Sequence, residues 1–247
     1  MKFEDMIKKI SGFVAGFLIF FIAGGMYLNL KGFIIGPDGR PVLVKEAHAD
    51  VTPQETSGLA NKIADDINVI LPDGHSLGSN KAPVSIYEYS SFGCYHCADF
   101  HLETLPKLKK DFIDNGKVKL VFVSFPLDSK SMMAAMIAKC MPEKNYHEFI
   151  KLLFKKQRDW GLSLRTEKLL TEYASLNGLN KEDVAKCLKN EKLAQDIIEE
   201  RQQAIDKLKI QGTPALLIVS KDGNEVIHGA PDYELLKSFL EKKLTNK

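Results

Sequence analysis

The sequence predicts an α/β domain interrupted by an inserted α-helical domain, and three observations predict it. A strand, helix, strand run occupies Val84 to Phe125, helical spacing fills Ser129 to Ile210, and strand character resumes at Ala215 to Val219. Val84 to Tyr89 (VSIYEY) alternates and is β-branched and aromatic, as a strand requires. Ala98 to Asp114 carries apolar residues at helical spacing, with a break or kink expected at Pro106 and a stop at Asn115-Gly116. Val118 to Phe125 (VKLVFVSF) is a second buried strand.

The insertion reads as helices built on Met132, Met133, Met136 and Ile137, on Phe149, Leu152, Leu153 and Phe154, and on Leu193, Ile197, Ile205 and Leu208. After it, ALLIV, a turn at Asp222-Gly223 and a short Val226-Ile227 strand form a hairpin, followed by a helix from Asp232 to Leu244. With 247 residues and 45% hydrophobic composition, the chain is long enough for a large core. A net charge of +2 calls for no polyanionic partner, and the paired lysines fall among acids on helix faces, so nucleic acid carries no weight.

The amino end has a different composition. Residues 10–30 form an apolar run without a charge, preceded by Lys2, Lys8 and Lys9. That length matches a bilayer core of about 30 Å, and the lysines favour a cytoplasmic N-terminus over residues 1–9. The expectation is an inner-membrane anchor at 10–30, a linker at 31–76, and an exported catalytic domain. Cleavage after Ala49, at Ala47-His48-Ala49, is the alternative, giving a soluble periplasmic protein. Within the linker, Leu59, Ile63, Ile67 and Ile70 suggest a short helix, either docked on its own domain or acting as a self-association seam.

The chemistry concentrates in Cys94-Tyr95-His96-Cys97, between the first strand and the first helix. Leading helix N–H groups lack intrahelical partners and favour thiolate over thiol, and a protonated His96 would add to that effect. A stabilised thiolate makes the corresponding disulfide easier to give away, so this site is expected to exchange disulfides. Structural zinc would want four thiolate or imidazole ligands, and Cys140 and Cys187 stand alone. Copper(I) needs only two soft thiolates, which keeps a Cu(I)-binding envelope protein open as a different class.

These residues resemble the DsbA family of thiol:disulfide oxidoreductases. The matching stretches are Leu77-Gly78-Ser79-Asn80-Lys81-Ala82-Pro83-Val84, Cys94-Tyr95-His96-Cys97-Ala98-Asp99-Phe100 and Gly212-Thr213-Pro214. The resemblance implies a thioredoxin-like fold at 77–127 and 211–247, with the helical insertion at 128–210. It implies Cys94 as nucleophile, Cys97 as buried partner, and Pro214 as a cis-proline facing them after Thr213. On sequence alone Pro214 would be a trans turn proline, since cis forms are about 5–6% of X-Pro bonds. It further implies unfolded or reduced exported clients in the bacterial cell envelope and reoxidation by a DsbB-type quinone-linked membrane oxidase. No cofactor or metal is expected.

Glu88 lies in an apolar strand six residues before Cys94, on the face of Val84 and Ile86, and resembles the family's buried acid. A buried carboxylate there could relay protons, whereas a strand-edge carboxylate would reach solvent. Cys140 and Cys187 either cross-link two helices of the insertion or remain buried thiols, and export favours the bridge. His101 reads as a helix-surface or groove residue, Trp160 as a packing residue, and His147 and His228 as lacking partners. Tyr95 stands where strongly oxidising members carry proline, and Thr213 is shared with isomerase-like relatives. An isomerase or reductase acting as an oligomer is therefore the alternative within the class.

Overall fold

The computed structural model describes residues 33–35, 41–43, 60–62, 71 and 75–245, the first three groups as backbone only. The chain divides into two units at Val51. In the first, strand β1 (Phe33–Ile35) pairs antiparallel with β2 (Pro41–Leu43) across the Gly36 to Gly39 turn signals. The apolar run 10–30 lies outside the described residues, and among those described no helix is long and apolar enough to cross a membrane.

The second unit is built on six strands: β3 (Ala60–Lys62), β4 (Ser76–Leu77), β5 (Val84–Ser90), β6 (Val118–Ser124), β7 (Ala215–Ser220) and β8 (Gly223–His228). Their order is β3-β8-β7-β5-β6-β4. Strand β5 runs parallel to β6 and antiparallel to β7, so the sheet is mixed and its central strand ends beside the start of β7. Both faces are covered, which explains why the central strands read as near-continuous apolar runs. One face, through Val84, Ile86, Leu120, Leu216 and Ile218, packs on Phe100, Leu108, Phe112, Leu236 and Leu240. The other, through Tyr87, Tyr89, Val123 and Leu217, packs on Ala204, Leu208 and Ile210.

The helix after the dithiol is continuous yet irregular. It passes from α1 (Tyr95–Asp99) through a π segment (Phe100–Thr104), α2 (Leu105–Leu108) and a second π segment (Lys109–Ile113). Pro106 was expected to break or kink the run. Instead, the widened turn before it accommodates the missing N–H, the Leu105 N–H reaching back to the Phe100 carbonyl. The end is a Schellman motif: Gly116 adopts φ +67° while Lys117 N–H bonds Phe112 O at 2.9 Å and Gly116 N–H bonds Ile113 O at 3.0 Å.

The helical stripe expected over Leu59 to Ile70 is corrected at its start. Ala60–Lys62 is a strand, with Asn61 opposite Val226 on the outer edge of β8. An open sheet edge presents a row of unpaired backbone groups, and pairing with it outweighs a three-turn apolar spacing. Ile63, Ile67 and Ile70 lie outside the described residues. Two further residues of the expected linker join the sheet region. Ser76 starts β4, and His75 stacks on Tyr146 with ring centroids 3.8 Å apart.

Between β6 and β7 lie α3 (Ser129–Lys139), α4 (Glu143–Lys155), α5 (Gln157–Gly161), α6 (Thr166–Leu176), α7 (Lys181–Leu188) and α8 (Glu191–Leu208). Helix α3 opens on a capping box, in which Ser131 N–H donates to Asp128 Oδ1 at 2.7 Å and Asp128 N–H to Ser131 Oγ at 3.0 Å. The methionines of this region are core, Met136 and Met141 being buried with Phe149, Leu153 and Trp160. Trp160 is sealed, and its indole N–H donates to Leu153 O at 2.9 Å. The C-terminal helix α9 (Tyr233–Thr245) returns to the sheet.

Cys140 and Cys187 form a disulfide between the end of α3 and α7, across a sequence separation of 47 residues. Closing a loop of that length restricts the unfolded chain by about 4 kcal/mol in the chain-entropy account. Replacing both cysteines with alanine should lower the urea-unfolding free energy by about 3–4 kcal/mol. A loss below about 1 kcal/mol would mean the bridge adds little beyond the packing already present.

Candidate active site

Strand β5 delivers the chain into Ser91-Phe92-Gly93, and Cys94 caps α1 in an extended conformation, φ −86° and ψ 123°. Cys94 N–H returns to Ser91 O at 3.1 Å, closing the turn. Gly93 is required by close approach, because a Cβ there would stand 2.9 Å from Asp128 Oδ2. The insertion also holds this turn from the other side. Gln157 on α5 donates through its amide Nε2 to Phe92 O at 2.7 Å and to Cys94 O at 2.8 Å. Nothing local in the sequence marks Gln157, which lies more than sixty residues away.

The two thiols are free and unequal: Cys94 is partly exposed and Cys97 is buried. Cys94 is held down at about 5, first because the Cys97 thiol hydrogen-bonds to its sulfur. Partial burial opposes this, while Thr213 and the backbone N–H groups of Cys97 and His96 support it. Cys97 is pushed far above the ordinary thiol range by burial, then by its partner sulfur and by the Glu88 charge. One sulfur is therefore a stable thiolate at neutral pH and the other a thiol.

His96 lowers Cys94 through its backbone N–H, and its exposed ring lies on Tyr95 with centroids 4.0 Å apart. Tyr95 itself is 65% exposed and flanks the reactive sulfur.

Opposite the dithiol, Thr213-Pro214 is a cis peptide bond, and Cys94 Sγ lies 3.3 Å from Thr213 O, to which it donates only in its protonated form. Gly229 N–H bonds Pro214 O at 2.8 Å, fixing the loop to the end of β8. Thr213, Pro214, Lys209 and His228 line a shallow groove of about 520 Å³ beside the sulfur. His228, for which the sequence offered no partner, lines this groove.

Glu88 is fully buried, and its Oε2 lies 2.8 Å from His101 Nε2. His101, expected on a helix surface or groove, is 8% exposed and stacks on Phe154 with centroids 4.3 Å apart. The signal was present in its spacing, four residues after buried Cys97 and therefore on the same helical face. His147, expected without a partner, bonds Ser76 O through Nε2 at 3.2 Å. Among the described residues no group of three or more histidine, cysteine or acidic side chains could hold a metal ion.

The family model described as thioredoxin matches residues 71–242, spanning the sheet, the dithiol and the insertion. The chain belongs to the DsbA-like thioredoxin family. Disulfide bond formation protein D of Bacillus subtilis is 32% identical over 176 residues, 69% of this chain and 77% of that protein. A relative from Rickettsia typhi is 31% identical over 143 residues, 58% of this chain and 53% of its own length. The chain thus spans about half the length of the rickettsial relatives it matches. Among solved structures, Wolbachia pipientis α-DsbA1 superposes with a TM-score of 0.65 at 29% identity, covering 73% of this chain and 95% of that one. Oxidised BdbD from Bacillus subtilis gives 0.63 at 26% identity, covering 76% and 98%.

The unequal thiols set a pH window. Cys94 is depressed in the folded reduced protein, so its stabilising effect is complete above about 9, the unfolded value, and is lost as pH falls through about 5. The reduced form should gain stability from pH 5 towards 9 relative to the oxidised form, which lacks this titration. Alkylation of Cys94 by iodoacetamide should show a midpoint near pH 5, with Cys97 unreactive throughout. A Cys94 midpoint above 8 would overturn the electrostatic account. Gln157→Ala, which strips an amide from two loop carbonyls, should cost about 1–2 kcal/mol in urea unfolding and raise that midpoint.

Proposed function

We propose that this chain is a thiol–disulfide oxidoreductase that introduces disulfides into exported proteins by dithiol-disulfide exchange at Cys94 and Cys97. The observation that carries the reading is the opposed acidity of the two sulfurs beside a cis-proline loop. A substrate thiolate attacks Cys94 Sγ in the Cys94–Cys97 disulfide, and the bond breaks with Cys97 Sγ leaving. A second substrate thiolate then attacks the substrate sulfur of the mixed disulfide, releasing Cys94 as the thiolate its surroundings favour. Thr213 and Pro214 offer backbone groups along which an extended substrate lies across Cys94. Glu88, buried next to Cys97, is the group through which the leaving sulfur becomes protonated.

Tyr95 and His96 form the exposed rim that a client meets first, and the Cys140–Cys187 bridge holds the insertion whose Gln157 orients the loop. The dithiol left after each turnover has to be reoxidised, and a DsbB-type quinone-linked membrane oxidase fits that need. The chain's place is then the bacterial cell envelope, with residues 10–30 as an inner-membrane anchor and the catalytic domain on the periplasmic side. The family membership and the relative named for disulfide bond formation support this assignment.

The test is oxidation of a reduced, unfolded protein by the oxidised chain, together with trapping. Cys97→Ser should accumulate mixed disulfides with envelope proteins through Cys94, and a further Cys94→Ser replacement should abolish them. Wild-type protein that neither oxidises the unfolded chain nor, as Cys97→Ser, yields adducts would sink the assignment.

A further inference from the structure

Cys97 cannot trade its proton with bulk water directly, being 0% exposed. Burial and the Glu88 charge nevertheless hold it as a thiol, so each exchange cycle must move one proton to or from this sulfur. Glu88 Oε1 is buried with no hydrogen-bond partner. Ser90, two residues further on the same face of β5, hydrogen-bonds the Cys97 sulfur. The other carboxylate oxygen, Oε2, is taken by His101 Nε2.

The His101 ring is held in a fixed orientation. Phe154 stacks on it at 4.3 Å and Phe122 meets it edge-on at 5.7 Å. Beyond it lies an apolar cavity of about 230 Å³, bounded by His101, Leu105, Pro106 and Ile150 and rimmed by Lys109, Glu148 and Lys151. This opening is distinct from the groove at Pro214, whose lining includes neither His101 nor Glu88. His101 thus stands between the sealed carboxylate and a second way out of the protein.

We propose that His101 is the relay through which Glu88 exchanges the Cys97 proton with solvent in this cavity, separately from the face that meets substrate. The inference rests on the oxidoreductase reading and deepens it. When Cys97 attacks a Cys94 mixed disulfide, its S–H proton passes to Glu88 Oε1, and its sulfur forms the bond to Cys94 Sγ as the partner thiolate departs. The protonated carboxyl of Glu88 turns to give that same proton to His101 Nε2, the ring being in its Nδ1–H tautomer, and His101 releases the Nδ1 proton to water in the cavity. No electron leaves the sulfurs, and the reverse sequence protonates Cys97 when it is the leaving group.

The groups facing His101 suit a relay. Glu88 approaches from β5, while β6 and α4 contribute the apolar Phe122 and Phe154. Helix α4 also brings His147, Glu148 and Lys151 to the cavity, and the segment after α2 brings Lys109. Tyr146 is held protonated, its hydroxyl pushed up by burial and then by Glu88, so it does not compete for the proton.

The test uses full-length protein carrying glutathione on Cys94, with release of glutathione timed from pH 5 to 9. His101→Gln keeps an amide N–H for Glu88 but cannot pass a proton onward. Release should slow about 100-fold, the scale of general acid–base catalysis, and its dependence on pH should differ from wild type. Adding His101→Gln to Glu88→Gln should slow release no further, and free imidazole should restore His101→Ala, whose cavity admits it. A His101→Gln rate and pH profile matching wild type, or no response of His101→Ala to imidazole, would overturn the relay. Wild-type protein that never releases glutathione would instead overturn the oxidoreductase reading itself.

Discussion

The hydrogen bond between the two sulfurs organises this protein. It can exist only if one thiol is kept neutral by burial while its neighbour, three residues earlier, stays at the surface as a thiolate. A single helical turn achieves this because Cys94 caps the helix while Cys97 points down onto the sheet. The sheet must then supply a dry floor, which Phe92, Ala98 and Phe122 provide. A carboxylate in that floor destabilises negative charge on Cys97 further, so Glu88 reinforces the asymmetry as well as burial does.

The helical insertion is the second constraint, because it grips the reactive turn from outside the sheet. Gln157 satisfies two carbonyls of the loop, Asp128 closes over Gly93, and Phe154 stacks on His101. Those three contacts come from the start of α3, the end of α4 and the first residue of α5. The disulfide to α7 ties the end of α3 to the rest of the bundle. Stability placed in the insertion therefore acts on the geometry of Cys94, and reactivity and packing are not separable here.

Two separate openings border the region around the dithiol. The exposed one, at Thr213 and Pro214, gives access to sulfur; the other, behind His101, gives access only to a proton. Separating them lets a bound client cover Cys94 without sealing the proton within the core. The Glu88 and His101 pair is costly to bury.

Much of this was legible in the sequence. The alternation of VSIYEY, the buried run VKLVFVSF and the hairpin at Asp222-Gly223 are local patterns, and each became the strand expected. The dithiol spacing and its position ahead of a helix were equally local, as was the acid in an apolar strand. What failed was also local in origin. A three-turn stripe starting at Leu59 yielded, over Ala60–Lys62, to the open edge of β8, and His101, expected on a helix surface or in a groove, lines a cavity and stacks on a helix fifty residues away. By itself the sequence determined strands β5 to β8 and which residues carry sulfur chemistry, because periodicity and side-chain type are properties of neighbours along the chain. Only the tertiary structure decided how far apart the two sulfurs stand in acidity, that His101 is buried against Glu88 and which amide holds the loop. Those depend on desolvation and on contacts between residues far apart in sequence.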